Sequence, residues 1–192
     1  FFFDVARLLS DGFYEFHNNG YSGSNLDLRD FSNANGGNIQ VYKDTNSTAQ
    51  KFKVVSSGNY YVIKSLCSGK VLDVADRSKA DGANVYQWDQ NNSKSQLWEP
   101  CIADGGGIYL FNVNSGLVLT AEGNGNVDQR AFDASRASQS WTLEVTKAIG
   151  WFNENNSWSY YYEDGTSKQF TDAAKRCWDR IVNAYSATQY FI

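Results

Sequence analysis

The sequence predicts an all-β fold: one closed body of short strands built from three repeats, followed by a β-hairpin and an α-helix. Three observations carry this prediction. Aromatic residues are abundant (six Trp, twelve Tyr, twelve Phe), while Met is absent and Pro occurs once. Rings without Met suit pleated strands and flat faces better than a helical core. Apolar runs are short and separated by clusters of Gly, Asn, Asp and Ser, which is strand-and-turn punctuation. The chain also repeats itself. Shifting Ser24–Phe52 by 46 residues places Asp27 on Asp73, Asn38 on Asn84, Ile39 on Val85, Tyr42 on Trp88, Gln50 on Gln96 and Phe52 on Trp98. Self-similarity at a fixed period marks a repeat architecture.

The elements follow in order. The first repeat runs over about 11–56 and the second over about 57–102. In the second, Tyr60–Lys64 is an aromatic and β-branched strand, and Val71–Val74 and Asn84–Trp88 alternate apolar and polar residues. The third repeat, about 103–146, is looser. Its Ser115-Gly116 matches Ser68-Gly69, Leu119 matches Leu72, and Gln139-Ser140-Trp141 closes the unit. Thr120 stands where the other repeats carry Asp, and only 19 residues separate it from the closing Gln, against 23 in the other two. Four short strands per repeat give about twelve, and a set that small resolves its edges by closing into a barrel.

Bulk properties exclude several functions. Net charge is −4 and the pI about 5.0, with no basic run to neutralise a phosphate backbone, so nucleic acid is not an expected partner. No stretch of eighteen apolar residues predicts a membrane span. No Cys/His cluster predicts a metal, no phosphate-binding glycine loop a nucleotide, and no cofactor is expected. His17 is the only histidine, and no Ser or Cys nucleophile stands with it as in a triad. Cys67, Cys101 and Cys177 are an odd count; a Cys67–Cys101 bridge is left open. Phe1-Phe2-Phe3 lacks the cationic flank of a signal peptide, so the start suits a mature product or an excised fragment.

The three Gln-x-aromatic closures (Gln50-Phe52, Gln96-Trp98, Gln139-Trp141) and the Leu-Asp motifs at Asp27 and Asp73 resemble the ricin-B-type β-trefoil lectins over residues 11–146. The resemblance implies a β-trefoil in which the closing rings fill a pseudo-threefold core. It also implies carbohydrate sites in the first two repeats. Carried over by position, the first holds Asp27, Gln40, Tyr42 and Gln50, and the second Asp73, Tyr86, Trp88 and Gln96. A carboxylate is a pure acceptor able to hold two neighbouring hydroxyls, an amide both donates and accepts, and a ring packs against a sugar's C–H face. Strand alternation expects Asp27 and Asp73 to point away from the buried Leu before them, onto the outer surface. The third repeat, with Thr120 and Arg130 in place of acid and ring, is expected to carry no ordinary site. Two weak sites on one rigid body would gain through effective concentration on a repetitive glycan.

Beyond Thr146 the pattern changes. Residues 150–170 resemble a single choline-binding-type cell-wall repeat: Gly150-Trp151, a turn at Asn155-Asn156, Trp158 and three tyrosines, then Asp164-Gly165. One repeat alone is expected to be a structural hairpin, because that family's cage takes rings from consecutive repeats around a quaternary ammonium. Residues 171–192 read as a helix and a strand start. Thr171 is placed to cap it, and Ala174, Cys177, Trp178, Ile181, Val182 and Tyr185 share one face. The closing Tyr185–Ile192 is similar to the run-in of L,D-transpeptidase catalytic domains. The leading expectation is a non-catalytic lectin module, secreted or cell-surface associated, that targets cell-wall or host glycan. The alternative is the N-terminal targeting part of a larger peptidoglycan L,D-transpeptidase. A protein-binding trefoil of the growth-factor sort is a third reading, against which the paired acids and rings argue.

Overall fold

The computed structural model describes residues 8–103, 106–146, 150–154, 157–161 and 167–170. The chain divides into two units, Phe1–Thr146 and Lys147–Ile192. In the first unit each repeat supplies four strands. The first gives β1 (Gly12–Asn18), β2 (Ser24–Leu28), β3 (Ile39–Lys43) and β4 (Phe52–Ser57). The second gives β5 (Tyr60–Ser65), β6 (Val71–Val74), β7 (Val85–Trp88) and β8 (Trp98–Ile102). The third gives β9 (Ile108–Asn112), β10 (Val118–Ala121), β11 (Val127–Arg130) and β12 (Trp141–Val145).

The outer two strands of each repeat pair around a ring: β1 with β4, β4 with β5, β5 with β8, β8 with β9, β9 with β12, and β12 back to β1. This six-stranded barrel has no free edge, which removes the hazard of unpaired strand backbone. The inner two strands of each repeat form antiparallel hairpins, β2–β3, β6–β7 and β10–β11. They touch one another through backbone bridges Asn38–Tyr86, Asn84–Asp128 and Gln40–Asn126.

The closing rings lie in the core as their spacing predicts: Phe52, Trp98 and Trp141 are fully buried, packed with Phe16, Leu26, Leu72 and Leu119. Burial of rings this large is the main apolar term in a barrel of this size. Each indole also needs an acceptor. Trp98 Nε1 donates to the Leu72 carbonyl at 3.4 Å, and Trp141 Nε1 to the Leu119 carbonyl at 3.1 Å. Phe52 has no N–H, so the first repeat forgoes this bond.

The repeat-matched asparagines close a ring of their own. Asn38 Nδ2 donates to Asn126 Oδ1, Asn126 Nδ2 to Asn84 Oδ1, and Asn84 Nδ2 to Asn38 Oδ1, each at 2.9 Å. Three half-buried amides thus satisfy one another where the hairpins meet.

Cys67 and Cys101 are both free thiols, one half-buried and one exposed, so the bridge left open by the sequence is not formed. Burial raises the pKa of each. In the second unit, β13 (Gly150–Glu154), β14 (Ser157–Tyr161) and β15 (Ser167–Phe170) make an antiparallel sheet in which Trp151 pairs with Tyr160 and Trp158 with Phe170. The expected hairpin therefore gains a third strand. Both its predicted turns, Asn155-Asn156 and Asp164-Gly165, and the helix and strand start at 171–192 lie outside the described residues.

Candidate functional site

The hairpins position six of the eight candidate side chains; Gln50 and Gln96 lie in the short turns before β4 and β8. In the second repeat, register sets Asp73 opposite Tyr86 and Val71 opposite Trp88. Asp73, Tyr86 and Trp88 line a cleft of about 400 Å³ together with Asp76, Arg77 and Asn91. The two rings lie 5.3 Å apart with planes tilted by 37°. Trp88 is 36% exposed, a large value for an indole, and Tyr86 is anchored by accepting a bond from the Asp76 backbone N–H at 3.2 Å.

One expectation is corrected here. Asp27 and Asp73 do not stand out on the surface; they are 6% and 4% exposed. All of β6, and β2 after its first residue, are buried on both faces, because the barrel lies on one side and the loop carrying the closing Gln on the other. Strand alternation chooses a face but cannot say that a face is solvated.

The buried acids differ in what holds them. Asp73 Oδ2 accepts from Gln96 Nε2 at 2.9 Å, while Oδ1 has no protein partner. Asp27 Oδ1 accepts from Gln40 Nε2 at 2.8 Å. Burial pushes the Asp27 carboxyl above its ordinary range, and hydrogen bonds from Gln40 and Gln50 oppose that rise. Gln40 is thereby engaged within the protein. Tyr86, its counterpart in the second repeat, leaves Asp73 Oδ1 untouched.

Gln50 and Gln96 are also corrected as direct contacts. Both are fully buried and brace the turn before them. Gln50 Nε2 donates to the Lys43 carbonyl and its Oε1 accepts from Thr45 N, each at 2.8 Å. Gln96 donates to the Asp89 carbonyl at 2.9 Å as well as to Asp73, and accepts from Asn91 N at 2.8 Å. Their role is to hold the acid and the turn. Tyr42, 48% exposed, pairs in register with Asn25, and Gln40 with Asp27.

In the third repeat Asp128, buried, faces Thr120 across the ladder, so the acid has changed strands. Arg130 occupies the ring position. Its Nη2 lies 2.6 Å from Asp128 Oδ2 and its Nε 2.9 Å from Glu122 Oε1, while Arg136 holds Glu122 Oε2 at 2.7 Å. Burial raises the Asp128 pKa and the Arg130 hydrogen bond lowers it. This network of two acids and two guanidiniums fills the place that a ring and a cleft take in the second repeat.

Asp76, Arg77 and Asn91 were not expected in a site. Asp76 has a first-repeat counterpart in Asp30 at the same offset, and both hairpin tips hold two consecutive non-glycine residues at positive φ: Asp30 (56°) and Phe31 (52°), Asp76 (55°) and Arg77 (54°). Shared strain at matched positions is a signal that repeat alignment could have raised. Arg77, unlike Arg29, Arg130 and Arg136, forms no carboxylate ion pair among the described residues.

A closed six-stranded barrel capped by three hairpins defines a β-trefoil, here with a ring-walled cleft beside a buried acid. The chain belongs to the ricin-type β-trefoil lectin domain-like family, whose model matches residues 3–88 and 48–134. No curated protein sequence matches it. Among solved structures it is similar to the designed threefold-symmetric protein ThreeFoil, with 31% identity and a TM-score of 0.65 over 71% of this chain and 99% of that one. It is similar to the exo-β-1,3-galactanase 1,3Gal43A of Clostridium thermocellum, with 29% identity and a TM-score of 0.66 over 71% of this chain and 31% of the enzyme. The Polyporus squamosus lectin, bound in its structure to Neu5Acα2-6Galβ1-4GlcNAc, shares the fold at 16% identity and a TM-score of 0.65; 74% of this chain spans 52% of that lectin. No helix among the described residues is long and apolar enough to cross a membrane.

Proposed function

We propose that this protein is a non-catalytic carbohydrate-binding module whose working cleft is in the second repeat. The observation that carries the reading is Asp73: a buried carboxylate with one oxygen fixed by Gln96 and the other without a protein partner, at a cleft walled by Tyr86 and Trp88. The carboxylate lines the cleft and is an acceptor for sugar hydroxyls there. Trp88 offers the flat apolar plate on which a pyranose packs, and Asn91 and Arg77 are placed at the rim for further hydroxyls. Family membership supports the same class of ligand.

The module would act outside the cell or at its surface, holding an attached partner on cell-wall or host glycan. A second reading makes it the targeting part of a larger enzyme. The likeness to a galactanase more than twice as long as the matched segment favours that arrangement in general. The transpeptidase form of it rests on Tyr185–Ile192 and is tested by whether such a domain follows in the gene. Calorimetric titration against lactose, N-acetyllactosamine, β-1,3-galactobiose, xylobiose and chitobiose tests the binding reading. At least one sugar binds, and Asp73→Asn weakens it by roughly tenfold or more, as expected for a lost charge-assisted hydrogen bond. Unchanged affinity in Asp73→Asn refutes the role given to the carboxylate.

A further inference from the structure

The three repeats do not build their sites independently. The loop at the tip of each repeat's hairpin reaches across to the ring-bearing strand of the next repeat. Gly36 N donates to the Gln87 carbonyl at 2.9 Å, and Gln87 N to the Gly37 carbonyl at 2.8 Å. Gln87 Nε2 then donates to the carbonyls of Ser32 and Ala34, at 2.8 and 2.9 Å, while its Oε1 accepts from Ser68 Oγ. Asn35 and Asp89 exchange two further bonds, 2.8 and 2.9 Å. This clamp sets the backbone of Gly36 against Trp88, such that a Cβ there would lie 3.9 Å from the indole.

The same clamp recurs one repeat on. Gln129 Nε2 donates to the carbonyls of Ser78 and Ala80, its Oε1 accepts from Ser115 Oγ, and Gly82 lies against the Arg130 guanidinium. It does not recur a third time. Ten residues separate β2 from β3, and ten β6 from β7, but only five (Glu122–Asn126) separate β10 from β11. The loop that would back Tyr42 is missing its tip. The clamp position in the first repeat is Val41, which keeps a backbone bond to the Gly125 carbonyl at 2.8 Å and has no side-chain amide to donate. The loop beside the Tyr42 strand is thus five residues shorter and meets no amide clamp, whereas the full loop and the clamp both stand beside Trp88.

We infer that the protein is functionally monovalent: the second repeat's cleft, completed by the first repeat's hairpin loop, is the one competent sugar site, and the first repeat's matching acid and ring are a weak or silent site. The inference rests on the proposed carbohydrate function and fixes its valency. Two differences act together. Asp73, which lines the cleft, has an oxygen without a protein partner, whereas Asp27 Oδ1 is held by Gln40. The Trp88 strand is clamped to the neighbouring loop by Gln87 whereas the Tyr42 strand carries Val41 at that position, so the Trp88 plate is ordered before the ligand arrives, and preorganisation of this kind is a main source of affinity at small sites. Asn35 becomes a positioning residue for a site in the next repeat.

The five-sugar titration, repeated on Tyr42→Ala, Trp88→Ala and Asn35→Ala, decides the matter. The expected results are one site per chain, a loss of about tenfold or more in Trp88→Ala, and less than about twofold in Tyr42→Ala. Asn35→Ala is expected to lose roughly threefold to tenfold, with only the small fall in unfolding midpoint that two exposed hydrogen bonds imply and the Trp88 indole N–H resonance shifted and broadened in proton–nitrogen spectra. Two equivalent sites, or equal losses in Tyr42→Ala and Trp88→Ala, overturn monovalency and leave the lectin reading standing. No binding of any of the five sugars by the parent chain overturns both.

Discussion

Replacing Gln87 by Val puts into the second repeat the residue that the first carries at the same place. Gln87 is fully buried and makes three side-chain hydrogen bonds, to the carbonyls of Ser32 and Ala34 and from the Ser68 hydroxyl. Each such bond contributes about 1 kcal/mol net. The full penalty for orphaned partners does not apply, because Ser32 and Ser68 are half-buried and Ala34 is exposed, so water reaches the groups left behind. Val also returns a few tenths of a kcal/mol in strand preference, on the order of the β-propensity scale. The expected destabilisation is about 2–3 kcal/mol, read from urea unfolding at constant slope. That is a fall of roughly 4–12 °C in midpoint for a chain of this size. The reverse change, Val41→Gln, has no long loop to hold and is expected to leave stability unchanged or lower. A loss below about 0.5 kcal/mol in Gln87→Val, or a gain in Val41→Gln, would refute the clamp.

Trp141→Phe copies the first repeat's Phe52 and should cost about 2–4 kcal/mol, from the cavity and the lost bond to the Leu119 carbonyl; denaturant melts measure it. Asn38→Ala removes two of the three bonds in the asparagine ring and should cost about 2–3 kcal/mol, with additivity failing in the Asn38→Ala/Asn84→Ala double variant because the two share a bond. Asp27 has a folded-state pKa raised chiefly by burial. The folded state therefore holds that proton more tightly than the unfolded one. Its contribution favours the fold at low pH and is lost as pH rises from the unfolded carboxylate value through the raised folded one. Asp27→Asn should flatten stability against pH across that window, and an unchanged pH profile would remove the raised pKa from the account.

The barrel was legible because its signals are local and repeated. Gln-x-Trp at a fixed spacing marks the core rings, and their burial follows from size alone. The asparagine ring was half legible: Asn38 and Asn84 match at 46 residues, but Asn126 falls at 42 because the third hairpin is shorter. The same change of offset hid the kinship of Gln87 with Gln129. Asp73, Tyr86 and Trp88 line one cleft, but the exposure expected of the two acids was wrong. Asp27 and Asp73 lie in strands covered on both faces, and a period of two cannot report a second cover supplied by another segment. Gln50 and Gln96 looked available as amides because nothing in the sequence shows that a turn five to seven residues upstream already occupies them. Arg77 and Asn91 were not foreseen at the cleft because they come from two different loops, after β6 and after β7, and loop geometry repeats only where loop lengths agree.

A crystal of this protein soaked with the best-binding sugar tests the central claim most directly. The account predicts one sugar per chain, its ring stacked on Trp88 and its hydroxyls within hydrogen-bond reach of the Asp73 carboxylate. Sugar seated first at Tyr42 and Asp27, or on the Arg130 network of the third repeat, would contradict it.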